Sequence, residues 1–242
     1  MNALELFQSG KLQAAIQALG DEVRSAPLDA KRRIFLFELL CFAGDYDRAE
    51  KQLDVIAGSS QAANVGALVY RCAIHAERTR QKMFEDSSFP MPRKTVQIPG
   101  HSPAGAFTGF ADADPRIGGA LEVFVAGSYS WIDFEQIASI EIPSPKRLRD
   151  LLWTPAIVTT TPEYRAMELG EVLLPVLSPL SWKESDDSVR LGRSTIWKED
   201  PIHGEIPVGQ KMFLAGEECV PILELGKVEL SEHSGATDAL PS

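Results

Sequence analysis

The 242-residue sequence predicts an α+β protein, in which an N-terminal tetratricopeptide-like helical module precedes a mainly antiparallel, β-rich mixed domain. Three observations carry this expectation. Apolar residues in the first third recur at helical spacing. The stretch 87–103 carries prolines at 90, 92, 99 and 103, which excludes helix and marks a change of architecture. Beyond it, short β-branched and aromatic runs alternate with turn residues.

The helical part shows an internal echo. Shifted by 34 positions against itself, the chain aligns Leu6 with Leu40, Gly10 with Gly44, Leu12 with Tyr46, Ala15 with Ala49 and Leu19 with Leu53. That is the period and pattern of a tetratricopeptide repeat. The glycine lets a tight turn join two antiparallel helices, and the small alanine lets them approach closely. Pro27 separates the two units. A pair of unrelated helical hairpins with coincident spacing is the alternative reading.

The segment KRRIFLFELLCFA is apolar nearly all round, so it belongs at the centre of the module, buried on several sides. A longer helix follows over residues 61–86. It carries Val65, Leu68, Val69, Cys72, Ala76 and Met83 as its expected packing face, with Arg71, His75, Arg78 and Lys82 on a wet, basic side. Fewer than three full repeats rarely stand alone, so the module must lean on the following domain or on a partner. These signals divide the chain into a helical module at 1–88, a β-rich domain at 89–230 and a flexible tail at 231–242.

The second domain is read around residues 107–131. Two apolar runs, 107–110 and 121–126, flank an Asp-, Pro- and Gly-rich loop, and Gly127 and Ser128 turn the chain again. Further strands are expected at 129–132, 137–142, 156–161, 171–177, 211–214 and 220–225, with a short helix at 146–152. Short connections favour hairpins over βαβ units.

Composition narrows the function classes. With 24 Lys and Arg against 34 Asp and Glu the net charge is −10, which disfavours nucleic acid as a partner. The three cysteines are odd in number and widely spaced, which argues against a disulfide framework or a zinc site and for a reducing compartment. The N-terminus lacks a basic region and a long apolar core, and the most apolar run is too short to span a bilayer. The expectation is a cytoplasmic protein with no membrane partner.

The candidate site residues fall into three groups. Asp112, Asp114 and Arg116 form a D-x-D-x-R loop. It suits cation binding or acid–base work, but the favoured reading is structural: Asx side chains cap their own loop amides and Arg116 pairs bidentately with either carboxylate. Tyr129 and Trp131, two apart, share one face of a strand. Arg149 and Asp150 (with Arg147) beside Trp153, and Arg193 (with Arg190) beside Trp197, are arginine–tryptophan clusters that suit either a binding hot spot or a rim seal of Arg stacked on Trp. His75, His101, His203 and His233 lack ligand spacing, and no GxSxG, HExxH or P-loop signature occurs, so no metal, cofactor or catalytic residue is expected.

The segments FADADPRIGGALE, YSWIDFEQI, RLRDLLWTPA, LPVLSPLSW, VRLGRSTIWK and GQKMFLAGEE occur in this order. Together they are similar to the ImpE family, also called TagJ, accessory proteins of bacterial type VI secretion systems. The D-x-D-x-R-x-G turn and the R-x-R-D-L-x-W segment are its most specific parts. The chain departs from the family at Ile132, where proline is common, and at Ser178 to Ser181, where a YPGS-like turn is. The resemblance implies a non-enzymatic adaptor whose partner is the N-terminal helix of the small subunit of the contractile sheath. A cytosolic enzyme using Asp112, Asp114 and Arg116 is the alternative.

Overall fold

Five helices come first: α1 (Ala3–Gln8), α2 (Leu12–Ser25), α3 (Ala30–Phe42), α4 (Tyr46–Ala57) and α5 (Gln61–Glu85). The structure, a computed structural model, describes residues 1–90, 97–164 and 169–231. Four of the five helices start on a polar side chain that accepts a first-turn amide, from Asn2, Asp29, Asp45 and Ser60. Gly10 and Gly44 turn the chain at φ 75° and 72°, the left-handed region open to glycine, and α2 and α4 begin 34 residues apart. One more step of the same frame puts Arg78 where those glycines stand. There the chain does not turn, and α5 runs on for 25 residues.

The all-round apolar segment behaves as expected. Leu36 to Phe42 on α3 are buried without a break. The face of α5 does not. Val65, Leu68 and Val69, expected to pack, are 61%, 58% and 48% exposed, and Cys72 and Met83 are only half-buried. Of the expected face only Ala76 is fully buried, and it is joined by Ala67, Ala73, Ile74, Glu77, Arg80, Gln81 and Phe84. Apolar periodicity pointed the wrong way because the packed face of α5 holds charged groups that are paired inside, a pattern a hydrophobicity count scores as solvent-facing.

The β-rich part begins with β1 (Pro99–Ser102), β2 (Gly105–Thr108), β3 (Phe110–Asp112), β4 (Ala120–Val125) and β5 (Ser128–Asp133). Next come β6 (Ile137–Glu141), β7 (Trp153–Thr160), β8 (Glu171–Pro175), the single turn α6 (Asp187–Arg190) and the hairpin of β9 (Thr195–Asp200) with β10 (Gly204–Gly209). Last are β11 (Met212–Ala215), β12 (Glu218–Pro221) and β13 (Lys227–Leu230). Eight strands form one antiparallel sheet in the order β2-β1-β13-β6-β7-β8-β4-β5, and β12-β11-β3 make a second, smaller one. The fold is α+β, as the sequence predicts.

Several details differ from the sequence reading. The proline-rich stretch contributes a strand, β1, paired between β2 and β13, which opens on Pro99 at a strand's first residue, where proline is tolerated. The expected helix at 146–152 is a 3₁₀ turn, Leu148–Leu151, and the strand expected at 220–225 ends at Pro221 in another, Ile222–Glu224. The strands β9, β10 and β13 were not anticipated. Of these, β13 lies centrally, between β1 and β6, although its residues alternate charged and apolar over only four positions. Apart from Ser231, the expected flexible tail lies outside the described residues, as do positions 91–96 of the linker.

Helices and sheet share a core. Phe124, Leu152, Trp153 and Leu191 join the cluster of buried helical side chains, which closes the open end of the helical stack. A second cluster fills the sheet, with Phe110 stacked on Phe107 and Phe213 and set edge-on to Phe134.

Candidate functional site

The D-x-D-x-R loop is locked from within. Asp112 accepts the Asp114 amide at 2.9 Å, and Asp114 accepts the Arg116 amide at 3.0 Å. The Arg116 guanidinium then grips both oxygens of Asp114, Nε at 2.8 Å and Nη2 at 2.6 Å, and lies 4.9 Å over the Phe84 ring of α5. The bidentate pair that the sequence suggests is present, with Asp114 as the partner. Both carboxylates are buried.

Asp112 opens onto a larger network that the sequence reading missed. Its second oxygen takes Lys211 Nζ, and Lys211 also reaches Glu122 at 2.7 Å. Glu122, on β4, receives Arg80 Nε and Nη2 from α5 at 2.7 and 2.9 Å. Arg80 goes on to Glu77 at 3.0 Å and to the Leu177 carbonyl at 3.0 Å, while Trp153 donates to Glu77 at 2.9 Å. Tyr129 donates to Glu122 and Trp131 donates to the Tyr129 hydroxyl, so the face shared by those two aromatics closes over the network. A visible signal existed: Arg80 interrupts an apolar stripe, Glu122 sits inside an apolar run and Lys211 opens one.

Four carboxylates share three cations here, so one acid is under-compensated. Burial works against the charge on Glu122, yet Arg80 and Lys211 hold its carboxyl well below the usual range. Asp112 goes the other way. Burial pushes it up to about 7, because Lys211 is shared and Glu122 and Asp114 add their negative charge.

The arginine–tryptophan clusters do not form as expected. Arg149 stacks on Tyr70, 4.7 Å from its centroid, and reaches Glu38 at 3.4 Å instead of stacking on Trp153. Asp150 caps the 3₁₀ turn through the amides of Lys146 and Arg147. Arg193 turns to α1, donating to the carbonyls of Phe7 at 2.8 Å and Gln8 at 3.0 Å and lying over the Phe7 ring. Trp197, four residues on, stands 44% exposed on β9. Neighbours in sequence were drawn apart because Arg193 follows the α6 turn and faces α1, whereas Trp197 sits on β9.

Two features of the surface lie on the helices. Val65, Leu68 and Val69 form an exposed stripe on the first half of α5, at the i, i+3, i+4 spacing of one helix face. A groove of about 470 Å³ separates α1 from α2 and the start of α3, lined by Leu4, Leu19, Arg32 and Phe35 among others. Among the described residues no helix is long and apolar enough to cross a membrane, and no cluster of three His, Cys, Asp or Glu side chains could hold a metal ion.

The ImpE protein family profile matches residues 104–229. The type VI secretion system accessory component TagJ of Pseudomonas aeruginosa is 32% identical across 90% of this chain and 87% of its own length. The chain belongs to the ImpE family. For the ImpE fold as a whole, the crystal structure of protein VPA1032 from Vibrio parahaemolyticus superposes with a TM-score of 0.81, covering 95% of this chain and 97% of the other at 22% identity. In this ImpE family member the profile begins at the β2 end of the sheet, so it includes Glu122 and Lys211 but not Arg80.

Proposed function

We propose that this ImpE family member is a non-enzymatic, cytoplasmic accessory component of a bacterial type VI secretion system, an adaptor that holds the N-terminal helix of the small sheath subunit against its own helices. Its likeness to the TagJ accessory component over nine-tenths of the chain supports the process. The observation that carries the docking mode is the bare apolar stripe of α5. In the helical stack α3 packs between α2 and α4, and α4 between α3 and α5. The second half of α5 is covered by β5 and the β4 network. Among the described residues its first half has one side without a neighbour, and there Val65, Leu68 and Val69 are exposed.

That position is the one a further helix of a tetratricopeptide-type stack would take. The stripe rises about 6 Å along α5, a little over one turn, enough to seat the apolar anchors at the middle of an incoming amphipathic helix. The enzyme alternative draws no support from the Asp112, Asp114 and Arg116 loop, whose carboxylates are buried and engaged by internal donors.

Titration calorimetry of the whole chain with a peptide of the small sheath subunit's N-terminal helix tests the proposal. Leu68→Asp is expected to weaken binding by more than about tenfold, as loss of an interface anchor does. Unchanged affinity for both Leu68→Asp and Val65→Asp would sink the α5 placement, and no binding by the unsubstituted chain would sink the adaptor reading. The intact chain is the right reagent, since cutting after residue 88 strips Arg80 of Glu122 and Glu77 of Trp153.

A further inference from the structure

The β9–β10 hairpin forms a two-stranded sheet of its own, its turn held to the body through His203 against the Phe89 ring. Its inner strand, β10, is fastened on the far side: the Gly209 amide donates to Ser181 Oγ at 2.9 Å, its carbonyl accepts the Ser178 amide at 2.8 Å, and Leu177 bridges Gln210. Because Gly209 turns its backbone groups away from β9, the opposite residue Thr195 makes no ladder bonds to it. Alternation along the ladder then fixes the rest. Trp197, facing Pro207 which has no amide hydrogen, and Glu199, facing Glu205, also turn their backbone N–H and C=O outward.

Among the described residues nothing pairs with that edge. The side chains beside it are exposed apolar ones, Ile196 at 37% and Trp197 at 44%, with Ile202 at the hairpin tip 84% exposed. Long bare edges of this kind are normally blunted by bulges, prolines or a covering element. Here the edge presents three residues' worth of unpaired donors and acceptors, and that chemistry is answered by an extended strand.

We propose that β9 pairs antiparallel with β9 of a second copy of this chain, about a two-fold axis beside Trp197. Identical antiparallel strands can meet only in registers that place one residue opposite its own copy or shift by whole pairs about it. Two such registers overlap five positions of β9. Centring on Lys198 sets lysine against lysine and matches only some of the outward-facing residues. Centring on Trp197 sets Thr195 opposite Glu199, Trp197 opposite the partner's Trp197 and Lys198 opposite Ile196, with no like charges facing. All three outward residues, Thr195, Trp197 and Glu199, then form hydrogen-bonded pairs, and two indoles pack side by side on one face. The Lys198 ammonium is held away from the axis by Glu184 on its own chain, at 2.6 and 2.8 Å.

Light scattering of the full chain across a concentration series tests the pairing, with twice the single-chain mass expected at the upper end. Trp197→Glu, on an exposed position, is expected to return the single-chain mass with an unchanged circular dichroism spectrum. Register is read by cross-linking in a Cys219→Ser background, which removes the exposed native thiol. Oxidation should link Trp197→Cys to its own copy, since hydrogen-bonded partners have Cα atoms about 5.5 Å apart, within disulfide reach. Lys198→Cys should link poorly. A single-chain mass for the unsubstituted protein at every concentration overturns the proposal, and faster linking through Lys198→Cys than through Trp197→Cys overturns the register.

Discussion

Arg80 on α5 and Glu122 on β4, 42 residues apart, meet through two hydrogen bonds of 2.7 and 2.9 Å at a point where each residue is 1% exposed. This pair fixes the second half of α5 to the sheet, and thereby leaves the first half free to present its apolar stripe. Around it Lys211, Glu77 and Leu177 complete the guanidinium and carboxylate valences. A buried pair of this kind has little net value over an apolar replacement, but it is costly to break from one side.

Arg80→Ala is therefore expected to destabilise the protein by about 3–5 kcal/mol, because Glu122 and Glu77 stay buried with less compensation. Glu122→Ala acts in the same direction, leaving Arg80 unmatched. The double substitution costs clearly less than the sum of the two. Urea unfolding of the three variants measures this, and strict additivity contradicts the coupling.

Stability should fall as pH rises from about 4 to about 7. In that window the folded protein keeps protons on Asp112 and Glu38, both raised to about 7 by burial, which the unfolded chain has lost at its ordinary values of 3.8 and 4.5. Their stabilising contribution is whole below the unfolded values and lost as pH passes the folded ones. Each contributes a slope of at most about 1.4 kcal/mol per pH unit. Glu122, depressed instead, adds an opposite trend confined to the acid side of its unfolded value. Melting temperatures at about pH 5 and about pH 8 test the sign. Asp112→Asn should flatten the fall, and an unchanged slope in that variant removes Asp112 as its source.

The D-x-D-x-R loop should behave as a structural clasp. Asp114→Asn loses the bidentate grip on Arg116 and is expected to cost about 1.5–3 kcal/mol, the scale of a charge-assisted hydrogen bond. Elemental analysis of the purified protein gives the independent check: a stoichiometric metal that disappears in Asp114→Asn would falsify the clasp and revive the loop as a site.

Two glycines should respond in opposite ways. Gly44 sits at φ 72°, and a methyl group there would lie 2.6 Å from the Trp182 ring, so Gly44→Ala must destabilise, by more than about 1 kcal/mol. Gly20 lies within α2 with nothing near its missing side chain, so Gly20→Ala should stabilise by about 0.5–1 kcal/mol. Thermal melts that rank the two the other way would contradict the turn geometry.

The sequence by itself determined the class of fold, the 34-residue frame of the first helices, the hairpin strands between residues 120 and 175, and the internal locking of Asp112, Asp114 and Arg116. These rest on local rules: glycine where the backbone turns left-handed, short polar caps, two-residue alternation, and an arginine within reach of a nearby carboxylate. The tertiary structure decided what pairing over long separations governs. It rotated α5 so that Arg80 and Glu77 face inward and Val65, Leu68 and Val69 face water, it placed β13 in the middle of the sheet, and it separated Arg193 from Trp197. Arg80 is buried only because its partner arrives from elsewhere, and Glu122 lies 42 residues beyond it, outside the reach of any local pattern.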